Sequence, residues 1–388
     1  MEKIVNVNGI DYFIENDVLF KVSNCVGTRK NLDIYHTFPN GLVVNAIGGL
    51  QILGEFSAVN IFDGITQVSP SAFALSKVES VRWPSTCSVI PTLCFYRSMI
   101  KKISNIDHVE SIEESAFSDS GLTKIKWPSG CEEIPEGCFE RSRITSISNI
   151  ENVTAIGKFA FSKSQLKEIK WPSKCATIPK GCFLGSRINK ITGIDKVSTV
   201  EDEAFAVTDL KKIKWPDNCN TIPKRCFNSS GLEEISNIEN VEFIGERAFQ
   251  GCKFDSFVWP PKCKTIPKLC FFYSQIGAIY NIEEVEKIEE GAFKYAERID
   301  SIVWPSRCET IPCGCFDGSG LMSISNIENV TRIEEDAFRR TERFEKIDLL
   351  NTHVHFIGAS AFCGKAINNI KFPFYISEEA IWKALSAR

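Results

Sequence analysis

Along most of the chain the apolar positions follow neither elementary period. In residues 166–186, LKEIKWPSKCATIPKGCFLGS, they fall 3, 4 or 1 apart. An amphipathic helix needs spacings that average 3.6 along one face, and a half-buried strand needs strict alternation. The mixture predicts a short strand, a turn forced by Pro or Asn, a second short extended piece, and a bend ending in a Cys-Phe or Ala-Phe pair. Residues 144–164, ITSISNIENVTAIGKFAFSKS, lie on the same template without a gap. Ile147 falls on Ile169, Val153 on Cys175, Ile156 on Ile178, Ala160 on Cys182 and Phe161 on Phe183.

The template repeats. Phenylalanines run from Phe73 to Phe293 at steps of 22, then continue at Phe316, Phe338 and Phe362 after steps of 23, 22 and 24. Tryptophan recurs at about twice that interval, at Trp83, Trp127, Trp171, Trp215, Trp259 and Trp304, so two kinds of coil alternate in a 44-residue double unit. A coil of this length cannot bury its apolar side chains against itself, and stacking on neighbours must supply the stability. The expected fold is a mainly β repeat solenoid, a right-handed stack of units of about 22 residues with terminal caps. Residues 1–38 read as an N-terminal β cap, from the alternation in GIDYFIENDVLFKV with a turn around Asn16-Asp17. Residues 39–373 read as the solenoid, about 14 coils. Residues 374–388 read as a helical cap in which Ser377 starts the helix, acids fill its first turn, and Ile381, Trp382 and Leu385 share a face.

The unit L-x-x-I-x-(W/N)-P-x-x-(V/C)-x-x-I-(G/P)-x-x-(A/C)-F-x-x-S resembles the BspA-type, or Treponema-type, leucine-rich repeat over residues 40 to 373. The segment V-x-x-I-G-x-x-A-F that carries the likeness is intact from Val153 to Phe161. Trp for Leu, and Cys-Phe for Ala-Phe in alternate coils, depart from the family's usual unit. The resemblance implies a leucine-rich-repeat solenoid and a non-catalytic scaffold of the adhesion or surface-antigen kind that recognises a protein ligand. It brings no catalytic residue with it.

Composition narrows the chemistry. With 45 basic against 49 acidic residues the net charge of −4 gives no bulk reason to expect nucleic acid or an anionic membrane as partner. No apolar run reaches the 18 or so residues that a membrane span needs. The opening MEKIVNVNGIDYF lacks the features of a signal peptide, which with many free thiols points to a cytoplasmic location; display at a cell surface by a non-classical route is the alternative. Twelve of the 16 cysteines form pairs seven apart, such as Cys175/Cys182, and the template sets them on Val and Ala, so they read as small core residues. Copies two coils apart stand ~10 Å from one another, too far for a disulfide. A bond within one pair stays open on these grounds. No zinc-type cysteine spacing appears, no phosphate-binding, hydrolase or calcium motif is present, and neither metal nor cofactor is expected. His353 and His355 read as a solvated strand edge rather than a metal clamp.

Two columns in the second coil type stand out. Asn105, Asn149, Asn237, Asn281 and Asn326, with Gly193 at the sixth place, predict a left-handed turn residue whose amide can reach an adjacent coil. Asp107, Glu151, Asp195, Glu239, Glu283 and Glu328 form an acid column two residues on. A solvated edge is the default reading for it, and a ladder for divalent ions or a basic partner the alternative. Positions three and five of the first strand should point outward. In the N-terminal part they carry Arg82, Lys102, Lys124, Lys126, Lys170, Lys190, Lys212 and Lys214 against the single acid Glu168; further on Val258, Tyr280 and Val303 appear among Ser and Ala. These positions are the candidate partner-binding residues, with an acidic protein as the expected ligand of the basic stretch. Generic solubility explains the lysines equally well. The competing functions are an intracellular assembly module and, remotely, an enzyme with an unfamiliar site.

Overall fold

The structure, a computed structural model, describes residues 2–16, 20–27, 29–52, 56–364 and 370–386. It is a β-solenoid of about 15 turns at a spacing near 22 residues. Its coils group into two compact units, Met1–Lys196 and Val197–Arg388.

The first unit opens with three antiparallel strands, Glu2–Val7, Ile10–Asn16 and Phe20–Val26. Asp17 of the expected turn lies outside the described residues. The third strand pairs in parallel with Ala46–Ile52, which pairs in parallel with Gln67–Val68. A second sheet of four parallel strands contains Asn31–Ile34, Ala58–Ile61, Ser80–Arg82 and Lys102–Ser104. Coiling therefore begins at residue 31, inside the segment 1–38, because the alternation of Leu32 and Ile34 already buries one strand face. Beyond it the ladder breaks into pairs: Lys124–Lys126 with Ser146–Ser148, and Glu168–Lys170 with Lys190–Thr192.

The second unit repeats that pairing. Lys212–Lys214 pairs with Glu234–Ser236, Ser256–Val258 with Ala278–Tyr280, and Ser301–Val303 with Ser323–Ser325. Ile347–Asp348 with Ile370–Lys371 is the last such pair.

Inside each unit the phenylalanines form a buried stack. Ring centroids from Phe73 to Phe95 are 5.4 Å apart, and from Phe139 to Phe161 5.6 Å. In the second unit Phe227 to Phe249 measures 5.9 Å and Phe338 to Phe362 5.3 Å, with the planes within a few degrees of parallel. Each ring is fully buried. A backbone ladder runs with the rings: Phe95 N–H donates to the Ala116 carbonyl at 2.8 Å and Phe139 N–H to that of Ala160 at 2.8 Å. The bend that holds each Phe places a left-handed residue two positions before it and two after. Leu93 and Arg97, either side of Phe95, have φ of +55° and +53°. In this bend every second N–H runs along the stack: Leu93, Phe95 and Arg97 donate to the next coil while Cys94, Tyr96 and Ser98 close turns within their own.

Each of the six Trp of the repeat is buried with its indole satisfied locally. Trp127 Nε1 donates to the Cys131 carbonyl at 3.0 Å, and Trp259 Nε1 to that of Cys263 at 2.8 Å. The W-P-x-x-C sequence thus supplies its own acceptor, and a large aromatic enters the core without an orphaned donor. The paired cysteines line the same core, as their template positions predict. Burial pushes the Cys94, Cys138, Cys226 and Cys315 thiols well above the ordinary thiol range.

The helix Glu378–Leu385 closes the last coil of the second unit. Ser377 caps it by accepting from Ala380 N–H at 3.2 Å. Of the expected apolar face Ile381 and Leu385 are half-buried and Trp382 is exposed, while Ala384 is the fully buried residue. The helix docks through its backbone, since Phe362 N–H donates to the Ala384 carbonyl at 2.9 Å and Ser360 N–H to that of Lys383 at 2.8 Å. It takes the place that a further coil's Ala-Phe segment would fill, and so close an approach admits only a small side chain.

Candidate functional site

The first strand of each coil presents two residues outward and buries one. Lys124-Ile125-Lys126 shows the pattern, with both lysines exposed and Ile125 buried, and Ser256-Phe257-Val258 repeats it. The arrangement follows from period-two alternation against a filled core. All eleven candidate residues lie at such outward positions and are exposed. They do not form one uniform surface.

In the first unit Arg82, Lys102, Lys124, Lys126, Lys170 and Lys190 share the strand face. Arg82 donates to the Ile61 carbonyl at 3.2 Å, and Lys126 Nζ lies 2.9 Å from Asp107 Oδ1. Among the described residues Lys102, Lys124, Lys170 and Lys190 form no ion pair. In the second unit Lys212 Nζ lies 2.6 Å from Glu234 Oε2, and Lys214 Nζ 3.8 Å from Asp217 Oδ1. Glu234 thus corrects the expectation of a single acid: it is the outward third residue of its coil and the first of its strand, in register opposite Lys212, and its carboxylate holds the lysine above its usual range. The basic character belongs to the first unit, and the pairs on Lys212 and Lys214 neutralise it locally in the second.

The apolar part occupies the same outward place on three successive first strands. Val258 and Tyr280 are register partners and Val303 follows on the next strand, with 59%, 57% and 60% of their surfaces exposed. Side chains this open usually mark contact surface when they cluster.

The pairwise breaking of the strand ladder produces clefts, for which the residue pattern holds no signal. One, of about 430 Å³, lies in the first unit between Ser146–Ser148 and Glu168–Lys170, and Asn149, Glu151, Lys170, Trp171 and Pro172 are among its walls. Its counterpart in the second unit, about 330 Å³, has Asn237, Glu239, Val258, Trp259 and Pro260 at the same points 88 residues later. The asparagine column frames both. Asn149 has φ of +63° and donates through Nδ2 to the Trp127 carbonyl at 2.7 Å; Asn237 has φ of +64° and donates to that of Trp215 at 2.7 Å. Gly193 keeps the turn with φ of +75°, and a Cβ there would lie 3.1 Å from the Trp171 carbonyl oxygen. The amide therefore ties each Asn-bearing second-type coil to the Trp coil before it and leaves the next junction open.

His353 and His355 are exposed, and His353 Nδ1 donates to the Glu328 carbonyl at 2.8 Å. Among the described residues no three His, Cys, Asp or Glu side chains converge on a metal-sized site. Among those residues no helix is long and apolar enough to cross a membrane.

Stacked parallel coils, a buried ring ladder and an outward strand face with recurring clefts define a β-solenoid repeat scaffold. The chain belongs to the family with the BspA type leucine rich repeat region, whose profile, in six copies, matches residues 66–189, 154–277 and 264–383. Among solved structures it is similar to a leucine-rich repeat protein from Bacteroides ovatus ATCC 8483, at 20% identity and a TM-score of 0.69, covering 94% of this chain and 92% of that one. It is also similar to a leucine rich cell surface protein from Faecalibacterium prausnitzii A2-165, at 14% identity and a TM-score of 0.44, covering 100% and 98%. A leucine-rich repeat protein from Eubacterium ventriosum ATCC 27560 is similar at 16% identity and a TM-score of 0.41, covering 97% and 98%. No curated protein matches the sequence.

Proposed function

We propose that the chain is a non-catalytic protein-binding scaffold, of the adhesion type that its family resemblance implies, and that the outward faces of its first strands are the binding surface. The observation that carries this reading is the pair of equivalent clefts, alike in Asn, Trp and Pro yet differing where Lys170 is replaced by Val258. A constant frame with exchangeable outward residues is what recognition needs. On this reading Lys102, Lys124, Lys170 and Lys190 of the first unit, without an ion pair among the described residues, attract an acidic protein surface.

The test is a titration of the full chain with a polyglutamate peptide at two ionic strengths. Reversing Lys124 and Lys170 to Glu should weaken binding and flatten its salt dependence, because exposed charges act through long-range attraction that ions screen. Equal affinity and equal salt slope in parent and variant would reduce the lysines to a solvated face.

An intracellular assembly role is the second reading, and the many buried thiols favour it, since reduced cysteines persist in a reducing compartment. Protease digestion of intact cells separates the two: cleavage of this chain from outside supports display, and full protection supports the intracellular module.

A further inference from the structure

The acid column meets different neighbours in the two units. Asp107 stands nineteen residues before Lys126 and pairs with it at 2.9 Å; Glu151 stands nineteen before Lys170, and the two line one cleft. In the second unit Glu239 stands nineteen before Val258 in the equivalent cleft, and Glu283 twenty before Val303. The acid is kept and the cation across from it is gone.

Glu239, Glu283 and Glu328 are all exposed, and among the described residues none of them forms an ion pair. Nearby cations are engaged elsewhere: Lys262 Nζ with the Asn240 amide oxygen at 3.0 Å, and Arg307 with Glu284 and Glu286 at 3.0 and 3.3 Å. Alongside these carboxylates run Val258, Tyr280 and Val303. The cleft next to Val258 continues the apolar surface inward, with Phe254, Trp259 and Pro260 in its wall.

We propose that this face of the second unit binds a protein segment presenting an aliphatic or aromatic side chain flanked by lysine or arginine. The apolar side chain enters the cleft beside Val258, and the flanking cations meet Glu239 and Glu283, supplying from outside the charge that Lys126 supplies to Asp107 from within. The carboxylates recur at ~10 Å, two coils apart, so flanking cations on long side chains can address successive ones with the apolar residue between them. The proposal rests on the reading of the chain as a protein-binding scaffold, but its ligand is opposite in charge to that of the first unit.

The probe is a synthetic peptide of alternating leucine and lysine, titrated against the full chain by fluorescence anisotropy. Two control peptides carry serine for leucine or glutamate for lysine. The alternating peptide should bind about tenfold tighter than either control, since both anchor and charge are required. Val258→Lys, which installs the first unit's residue, should weaken it by about tenfold, and Glu239→Gln with Glu283→Gln should weaken it and flatten its salt dependence. Melting curves matching the parent's establish that the variants are folded. Undiminished binding to either variant, binding no tighter than the serine peptide's, or no saturation by about 1 mM overturns the proposal. Polyglutamate binding to the same preparations is read in parallel. If it persists and responds to Lys124→Glu while the alternating peptide fails, the scaffold reading stands and this inference alone falls.

Discussion

Lys126 and Val258 sit at the same point of the coil, the exposed last residue of a three-residue strand, each followed by a buried Trp-Pro pair. Lys126 satisfies an acid of its own chain; Val258 leaves its acid open and extends an apolar strip. Between them the core hardly changes: Phe139 and Phe271 are both fully buried in stacks with neighbours 5.5 to 5.7 Å away. The difference teaches where this architecture is free to vary. Inward columns set the coil, and substitution there is paid for in every neighbouring interface. Outward columns touch solvent, so their chemistry can change from basic to apolar without altering the backbone that presents it.

The sharpest way to break the comparison is through the core. Phe139→Ala in the first unit and Phe271→Ala in the second should each cost about 3–5 kcal/mol, the range for a large buried aromatic, in urea unfolding. Lys170→Ala should leave the midpoint unchanged. A cost in one unit less than half that in the other would show that the two stacks are not equivalent.

Asp317 sharpens the contrast from the other side, because it is a charge buried at the position next to the stacked Phe316. Its side chain is 1% exposed, and Arg340 Nη2 and Lys294 Nζ lie 2.7 and 2.9 Å from Oδ2. Burial opposes ionisation, but the hydrogen bonds and charges of Arg340 and Lys294 outweigh it and hold the carboxyl below its usual range. A carboxyl whose folded pKa is lowered stabilises the fold above its unfolded value, near 4, and loses that contribution as pH falls through the folded value. Asp317→Asn should cost about 2 kcal/mol at neutral pH, as for a hydrogen bond to a charged group. Its stability should also fall less steeply than the parent's in acid. Parallel acid profiles for the two proteins would remove Asp317 from the account.

The asparagine column gives the next largest effect. Asn149→Ala removes a bond to Trp127 and places a Cβ-bearing residue without a polar side chain at φ of +63°, which together should cost about 2 kcal/mol. Asn149→Gly keeps the turn and loses only the bond, so its cost should be about 1 kcal/mol, as Gly193 illustrates in its own coil. Thermal melts of the pair, repeated at Asn237, decide whether the frame of the clefts is equally firm in both units.

Which features were legible in the sequence follows from how each is encoded. The phenylalanine period and the asparagine turn were readable because each depends on one residue type at one place. The left-handed positions flanking each Phe were not, because Leu93, Arg141, Phe159 and Tyr273 occupy them and none of these has a preference for positive φ. The clefts were equally hidden. They arise where a strand ladder is absent between coils, and both kinds of first strand read alike, as Ser146-Ile147-Ser148 beside Lys124-Ile125-Lys126 shows. Glu234 was open to inspection as the third residue of its coil, and only its pairing with Lys212 needed coordinates. The helix face was misjudged for a different reason: periodicity marks Trp382 as apolar but says nothing of docking through backbone carbonyls.

The smallest effect on folding, and the most direct trial of the comparison, is an exchange of the two outward residues. Lys126→Val removes an ion pair whose side chains are 65% and 77% exposed, and pairs this open contribute little to stability, so the urea midpoint should stay within error of the parent's. Val258→Lys places a lysine opposite Glu239, in the arrangement the first unit already tolerates. Its midpoint should not move either, while its affinity for the leucine–lysine peptide falls. Lys126→Val should act in the opposite sense, leaving Asp107 open and giving the first unit an apolar point beside an acid, so that the same peptide gains a weak second site there. The measurement is the stoichiometry of peptide bound to the Lys126→Val chain. A second equivalent of peptide, abolished by adding Asp107→Asn, would show that recognition travels with the outward pair; a single equivalent throughout would mean that the neighbouring strands, and not that pair, decide what binds.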